Sequence, residues 1–398
     1  MKNELAINGG KPTRSTFIPY GKQCIDQEDI DSVIKVLKSD YLTCGPEIEE
    51  FEKTLADYLG VKYVVAVSSG TAALHAACFA AELKDGDEAI TSPITFAATS
   101  NSILYMGAKP VFCDIDRLTY NISYNDIKNK INSKTKAILP VDFAGHASDL
   151  DEILEISKKH NLVVIEDAAH ALGAEYKGRK VGSVSDMTIF SFHPVKHIAT
   201  GEGGAIATNN QKYYEKIKEF RSHGITRDRM KILKDYGPWY YEMQSLGFNY
   251  RMTDIQAALG ISQMTKLSRF LKRRNEIADI YEKELSKIEG VIVPYKKDYV
   301  YSPWHIYVIQ IETEKYSVDR KTIFEALIAE NIGVNVHYLP VYLHPYYKKM
   351  GYKEGLCPIA EKLYQRIITL PLFYSMTEED TKSVIQALKK VLSYYIKK

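Results

Sequence analysis

The segment TIFSFHPVKHIATGEGG (188–204) sets one lysine, Lys196, between an apolar strand-like run and a glycine-rich turn. Most lysines stay in water. One that loses its hydration has a lowered pKa and becomes a nucleophilic amine. Two other segments carry groups that suit such an amine. In SSGTAALHAA (68–77), Ser69, Gly70 and Thr71 turn into a helix whose first backbone N–H groups attract an anion. In EDAAHALGA (166–174), Asp167 closes an apolar strand and His170 follows three residues on. Ser191 adds a hydroxyl just ahead of Lys196. An anion cradle, a carboxylate, an aromatic side chain and a lone lysine are what pyridoxal phosphate requires. Its aldehyde needs an amine, its phosphate needs N–H groups, and its pyridine nitrogen needs a carboxylate that keeps it protonated. Each piece has an ordinary reading as well. Ser69 reads as a helix N-cap, Asp167 as the cap of a following helix, Lys196 as a surface lysine, and GEGG as a tight turn between strands.

The elements that must position these residues alternate regularly. EDIDSVIKVLKS and EIEEFEKTLADYLG read as helices, the second stopped by Gly60. YVVAV (63–67), EAIT, PVFC, AILPV, LVVIE and TIFSF read as short strands with helical patterns between them, TAALHAACFAAEL (71–83) among these. Such alternation predicts an α/β fold with a mostly parallel central sheet and helices on both faces. In such sheets ligands bind beyond the C-terminal strand ends, where Ser69, Asp167 and Lys196 all fall. The rhythm changes near residue 250. One long helical pattern starts at MTDIQAALG, followed by HIYVIQI, a helix at 318–330, a strand GVNVHY and a final helix at 377–394. We therefore expect a large domain at 1–255 and a smaller α+β domain at 256–398, with the long helix as hinge.

Composition narrows the function classes. The chain has 398 residues, 45% hydrophobic and 26% charged, with a formal net charge of +2. That gives no electrostatic case for nucleic acid or a membrane surface. No run of about 18 apolar residues is present. The first residues, MKNELAINGGKPTRS, lack the apolar stretch of a signal peptide. Five scattered cysteines without a CxxC fit a reducing cytoplasm better than a disulfide framework or zinc site. His193 and His197 stand four apart, but HPVKH holds a proline and lacks the glutamate of HExxH, so no metal is expected.

Several motifs carry a family likeness. SGTAALHAA, TSPITFAATSN, IEDAAHALGAEYKG, SFHPVKHIATGEGG, RSHGITRD, LGFNYRMTDIQAALG and VHYLPVYLHPYY occur in order and at matching spacing. Together they resemble the nucleotide-sugar aminotransferases of the DegT/DnrJ/EryC1/StrS group, fold type I of the pyridoxal phosphate enzymes. The resemblance implies that Lys196 carries the cofactor as a Schiff base and moves the proton between the donor's Cα and the cofactor's C4′. It implies that Asp167 pairs with the pyridinium nitrogen, that His170 lies beside the ring, and that Phe96 stacks on it. Backbone at Thr71 and Ala72, with the Ser191 hydroxyl, would hold the phosphate. Asn249 would reach that phosphate from a neighbouring subunit, which implies a homodimer with shared active sites. Arg251 would face the nucleotide diphosphate. Tyr20, His337 and Tyr338 would line the sugar pocket, with plain packing as the other reading for these three.

The chain is most similar to the subgroup of C4 aminotransferases of pseudaminic acid synthesis. That implies transfer from L-glutamate to a UDP-4-keto-6-deoxy-N-acetylhexosamine. Amination of a different nucleotide sugar is the main alternative. A dehydratase on this scaffold carries histidine in place of the lysine, and a DNA-binding regulator would need a basic stripe or a helix-turn-helix. One departure stands out: LTCGP places Cys44 where the subgroup usually has glutamine.

Overall fold

The computed structural model describes residues 4–234 and 236–397. Its central feature is a 7-stranded sheet. In spatial order the strands are Tyr63–Val67, Gly204–Thr208, Met187–Ser191, Val163–Asp167, Thr135–Leu139, Glu88–Thr91 and Lys109–Phe112. All neighbours are parallel except Gly204–Thr208, which runs antiparallel to both strands beside it. These strands are buried almost throughout, as their near-continuous apolar runs require of a sheet covered on both faces. Helix Gly70–Ala80, rich in alanine, packs against one face, while helix Pro46–Leu59 meets the other core through Phe51, Leu55 and Leu59. The left-handed Gly60 ends Pro46–Leu59 with φ 70°.

The long helix Asp254–Leu285 is fixed at its start by a capping box between Thr253 and Gln256. Its first half packs into the large core through Ala257, Met264 and Leu267. Its second half packs into a C-terminal core through Ile277, Ala278 and Tyr281. That second core covers a 3-stranded antiparallel sheet built on Tyr307–Ile311, with helices Arg320–Ala329 and Glu378–Tyr395 against it. Leu5 and Ile18 from the chain's beginning also pack there.

The expected strand GVNVHY does not form. Only Asn335 pairs, with Thr369, and the Asn335 side chain takes up the Val336 N–H at 2.7 Å. A side chain that satisfies its own neighbour's backbone competes with the ladder. The third strand of that sheet is Ile367–Leu370 instead. The remaining predicted strands and helices form within a few residues of their expected limits.

Candidate active site

Three strand ends converge above the sheet. Strand Tyr63–Val67 leads to Ser69, which caps helix Gly70–Ala80 by accepting the Ala72 N–H at 3.1 Å. With Ala72 committed to the cap, the Gly70 and Thr71 N–H groups are the helix donors left for an anion. Strand Met187–Ser191 brings Ser191 against this turn, where a Cβ built on Gly70 would meet the Ser191 Cβ at 3.0 Å and its Oγ at 3.2 Å. Strand Gly204–Thr208 presses closer still. A Cβ on Gly204 would stand 2.5 Å from the Ser69 carbonyl, so the GEGG segment supplies a close backbone approach as well as a turn.

Asp167 ends the middle strand and is 5% exposed. No helix follows it, so the helix-cap reading falls; its Oδ1 accepts the Ala169 N–H at 3.2 Å in a turn. Its Oδ2 accepts the Thr99 hydroxyl at 2.6 Å, and Thr99 is in turn 2.7 Å from Thr95 Oγ1. No cation contacts this carboxylate among the described residues, and burial raises its pKa. A buried carboxylate in that state calls for a positively charged hydrogen-bond donor.

Lys196 follows in the turn after Ser191, its backbone N–H held by the His193 carbonyl at 2.8 Å. Its side chain points inward although the residue is partly exposed. Desolvation lowers the amine to about 8, opposed by the field of Asp167. Its Nζ lies 3.4 Å from His305 Nε2. Around it lies a group of buried histidines. His170 lies tilted against His305 with ring centroids 4.3 Å apart, its Nε2 3.3 Å from the Tyr338 hydroxyl and its Nδ1 without a partner among the described residues. His197 lies 5.5 Å from His305. Burial pushes His170, His197 and His305 well below the ordinary histidine range, so all three are neutral. His193 is exposed while His197 is buried, so the pair does not face one ligand.

The other expected residues stand on neighbouring segments. Phe96 is 64% exposed, 6.4 Å from Tyr338, and its carbonyl accepts the Thr99 backbone N–H at 3.2 Å. Tyr20 packs 5.4 Å from His337, which hydrogen-bonds Thr369 at 2.8 Å and adjoins Tyr338. Asn249 and Arg251 flank Tyr250, whose carbonyl accepts the Ser68 N–H at 2.8 Å. Asn249 is exposed and Arg251 partly so. Cys44 lies on the surface with a left-handed backbone, φ 58°, beside Gly45, which donates to Asp254 at 2.9 Å. Sequence reasoning did not single out Thr99 or His305. Thr99 sits inside the quoted TSPITFAATSN, but nothing local says that its hydroxyl meets Asp167. His305 follows Trp304 with no motif around it.

These groups fit pyridoxal phosphate on their own chemistry. Among the described residues Asp167 has no cation partner, the Gly70 and Thr71 N–H groups sit at the helix start without an intrahelical acceptor, and desolvation lowers the Lys196 amine to about 8. The comparisons agree. Residues 23–389 match the DegT/DnrJ/EryC1/StrS aminotransferase family. The chain is 42% identical over 379 residues to the UDP-4-amino-4,6-dideoxy-N-acetyl-beta-L-altrosamine transaminase of Campylobacter jejuni, covering 94% of this chain and 98% of that one. Its fold superposes on Helicobacter pylori PseC, an aminotransferase involved in the biosynthesis of pseudoaminic acid. The TM-score is 0.88, with 34% identity over 96% of this chain and 100% of that one. The PLP-form of Spr1654 from Streptococcus pneumoniae matches with a TM-score of 0.89 and 31% identity, over 96% and 100% of the two chains. With the family matched along nearly its whole length, the chain belongs to the DegT/DnrJ/EryC1/StrS aminotransferase family, a fold type I enzyme that uses pyridoxal phosphate.

Proposed function

We propose that this sugar aminotransferase moves an amino group from L-glutamate to C4 of a UDP-4-keto-6-deoxy-N-acetylhexosamine. The product is UDP-4-amino-4,6-dideoxy-N-acetyl-β-L-altrosamine, an intermediate of pseudaminic acid synthesis. The observation that carries the chemistry is the Lys196 amine, buried and lowered to about 8, on the same rim of the sheet as Asp167. The likeness to the Campylobacter and Helicobacter enzymes supports the choice of sugar.

Pyridoxal phosphate supplies a carbonyl that accepts amino groups and a ring that takes up the electron pair left when a proton leaves Cα. The chain supplies the rest. Lys196 holds the aldehyde carbon between turnovers and moves the proton at the donor's Cα, a task that needs a pKa near the working pH. Asp167, oriented by Thr99, holds the ring nitrogen's proton. The Gly70 and Thr71 N–H groups, the backbone around Ala72 and the Ser191 hydroxyl bind the phosphate. Phe96 and His170 would contact the cofactor's ring. Arg251 binds the diphosphate, and Tyr20, His337 and Tyr338 shape the sugar pocket. Asn249 acts on the partner subunit's phosphate site, so the working unit is a homodimer. We place the enzyme in the cytoplasm, which its free cysteines support; no described helix is long and apolar enough to cross a membrane.

The test is to incubate purified enzyme with glutamate and each of two UDP-4-keto sugars, the β-L-arabino and α-D-xylo epimers, and to read the amino product by mass spectrometry. Amination of the L-epimer alone is expected. Amination of the D-epimer alone would move the enzyme to another UDP-amino sugar, and amination of neither would reject the UDP-sugar assignment.

A further inference from the structure

Among the described residues, His305 is the one whose polar atom lies within hydrogen-bond distance of the Lys196 amine. It lies more than a hundred positions from Lys196 in sequence, just before strand Tyr307–Ile311. Its backbone is clamped from both sides. The N–H donates to the Ala144 carbonyl at 3.0 Å, and the carbonyl accepts from the fully buried Arg274 at 3.1 Å. Arg274 also holds the carbonyls of Trp304 and Leu372, at 3.2 and 3.0 Å. The ring is packed between His170 and His197 and is 4% exposed.

The second nitrogen of that ring decides its state. Nδ1 is buried and has no hydrogen-bond partner among the described residues. An imidazole must leave either a lone pair or an N–H unmatched there, and buried orphan N–H groups are the rarer and costlier case. The proton therefore belongs on Nε2, the nitrogen 3.4 Å from Lys196 Nζ. The groups facing the ring are Lys196, His170, His197 and Arg274, none of them a carboxylate, so nothing there favours an imidazolium. An N–H aimed at Nζ matches the lone pair of a free amine and opposes the hydrogens of an ammonium.

We propose that His305 is a positioning residue for Lys196: its Nε2–H donates to the lone pair of the released amine, keeping that amine unprotonated and in place until it takes the proton from the donor's Cα. The inference rests on Lys196 being the reactive amine. It assigns the task to a side chain whose backbone is anchored by the long helix through Arg274, so the grip on the lysine comes from the joint between the two cores.

The experiment uses full-length enzyme and the variants His305→Leu and His305→Gln. Glutamine can set an amide N–H where Nε2 stands; leucine cannot. In rapid mixing of the pyridoxal phosphate form with glutamate, the cofactor absorbance change is expected to slow at least ~10-fold in His305→Leu, the scale of one lost hydrogen bond. His305→Gln should recover most of the rate. A wild-type rate in His305→Leu, or a His305→Gln as slow as His305→Leu, overturns the proposal. Because leucine at this site can disturb folding, a second readout stands apart from the variants. In ¹⁵N-histidine-labelled wild-type enzyme loaded with pyridoxamine phosphate, the His305 resonances should show a protonated Nε2 and a bare Nδ1. The opposite tautomer overturns the proposal too. Borohydride reduction of the pyridoxal phosphate form, followed by peptide mass spectrometry, separates this from the underlying reading. Cofactor trapped elsewhere than on Lys196 rejects the role of Lys196 itself.

Discussion

One residue before Asp167, Glu166 turns to the opposite face of the strand and is fully buried. Its Oε2 accepts the Thr188 hydroxyl at 2.8 Å. Its other oxygen and the Oδ2 of Asp142 have no hydrogen-bond donor among the described residues, while Asp142 Oδ1 accepts the Ser148 N–H at 2.8 Å. The two carboxyl groups interact, and burial with like charge raises Asp142 well above the carboxylate range. One shared proton resolves this. The pair braces the site, since the Asp142 N–H also donates to the Asp167 carbonyl at 3.1 Å. Folded, the pair keeps a proton that unfolded carboxyl groups release near pH 4. The folded state therefore binds more protons above that pH, and stability falls as pH rises toward the folded pKa. In Glu166→Gln the amide donates to Asp142 without a titrating proton. The variant should lose less melting temperature than wild type between pH 5 and 9. Equal slopes for the two proteins would show that no proton is shared.

At the scale of elements, the long helix Asp254–Leu285 does more than connect. It sends Lys266 to the buried Asp29 at 2.9 Å and Arg274 to three loop carbonyls. We propose the division between the larger and smaller domains at residues 255/256, inside its first turn, with Leu5 and Ile18 reaching across to the smaller core. Arg274 has no carboxylate partner in that contact set, and desolvation lowers it to about 10. Replacing it with methionine keeps the volume but strands three buried carbonyls. At about 1–3 kcal/mol each, less what the buried charge cost, Arg274→Met should destabilise by roughly 3–5 kcal/mol. Urea denaturation measures this, and a loss below about 1 kcal/mol would mean that the carbonyls find water. The same scale shows why GVNVHY misled. Its alternation is that of a strand, but register is decided by the partner, and Thr369 meets it at Asn335 only.

For the molecule as a whole, the surface near Asn249 carries Met243, Leu246 and Phe248, which are 65%, 75% and 38% exposed, with Trp239 at 73% on the same excursion. Apolar exposure of that extent supports a subunit contact. The proposed sharing of sites between subunits makes a strict prediction. Lys196→Ala and Asn249→Ala each damage every site of their own homodimer. In a mixed dimer one site combines the intact lysine of one chain with the intact asparagine of the other. Co-refolding equal amounts should restore roughly a quarter of wild-type turnover by random pairing. A mixture no more active than its parents would place Asn249 outside the partner's site or break the dimer reading.

The alternation of short apolar strands and amphipathic helices determined the α/β fold, because parallel strands buried on both faces leave that pattern in any chain. The motifs around Ser69, Asp167 and Lys196 determined that three reactive groups lie at strand ends, since each is local to its own turn. The tertiary structure alone decided the state of those groups. Lys196 is lowered by the shell of buried groups around its amine, Asp167 is oriented by Thr99 from another helix, and His305 arrives from beyond the long helix. Desolvation and hydrogen bonding across 68 or 109 positions depend on how the elements pack, and no spacing along the chain records them.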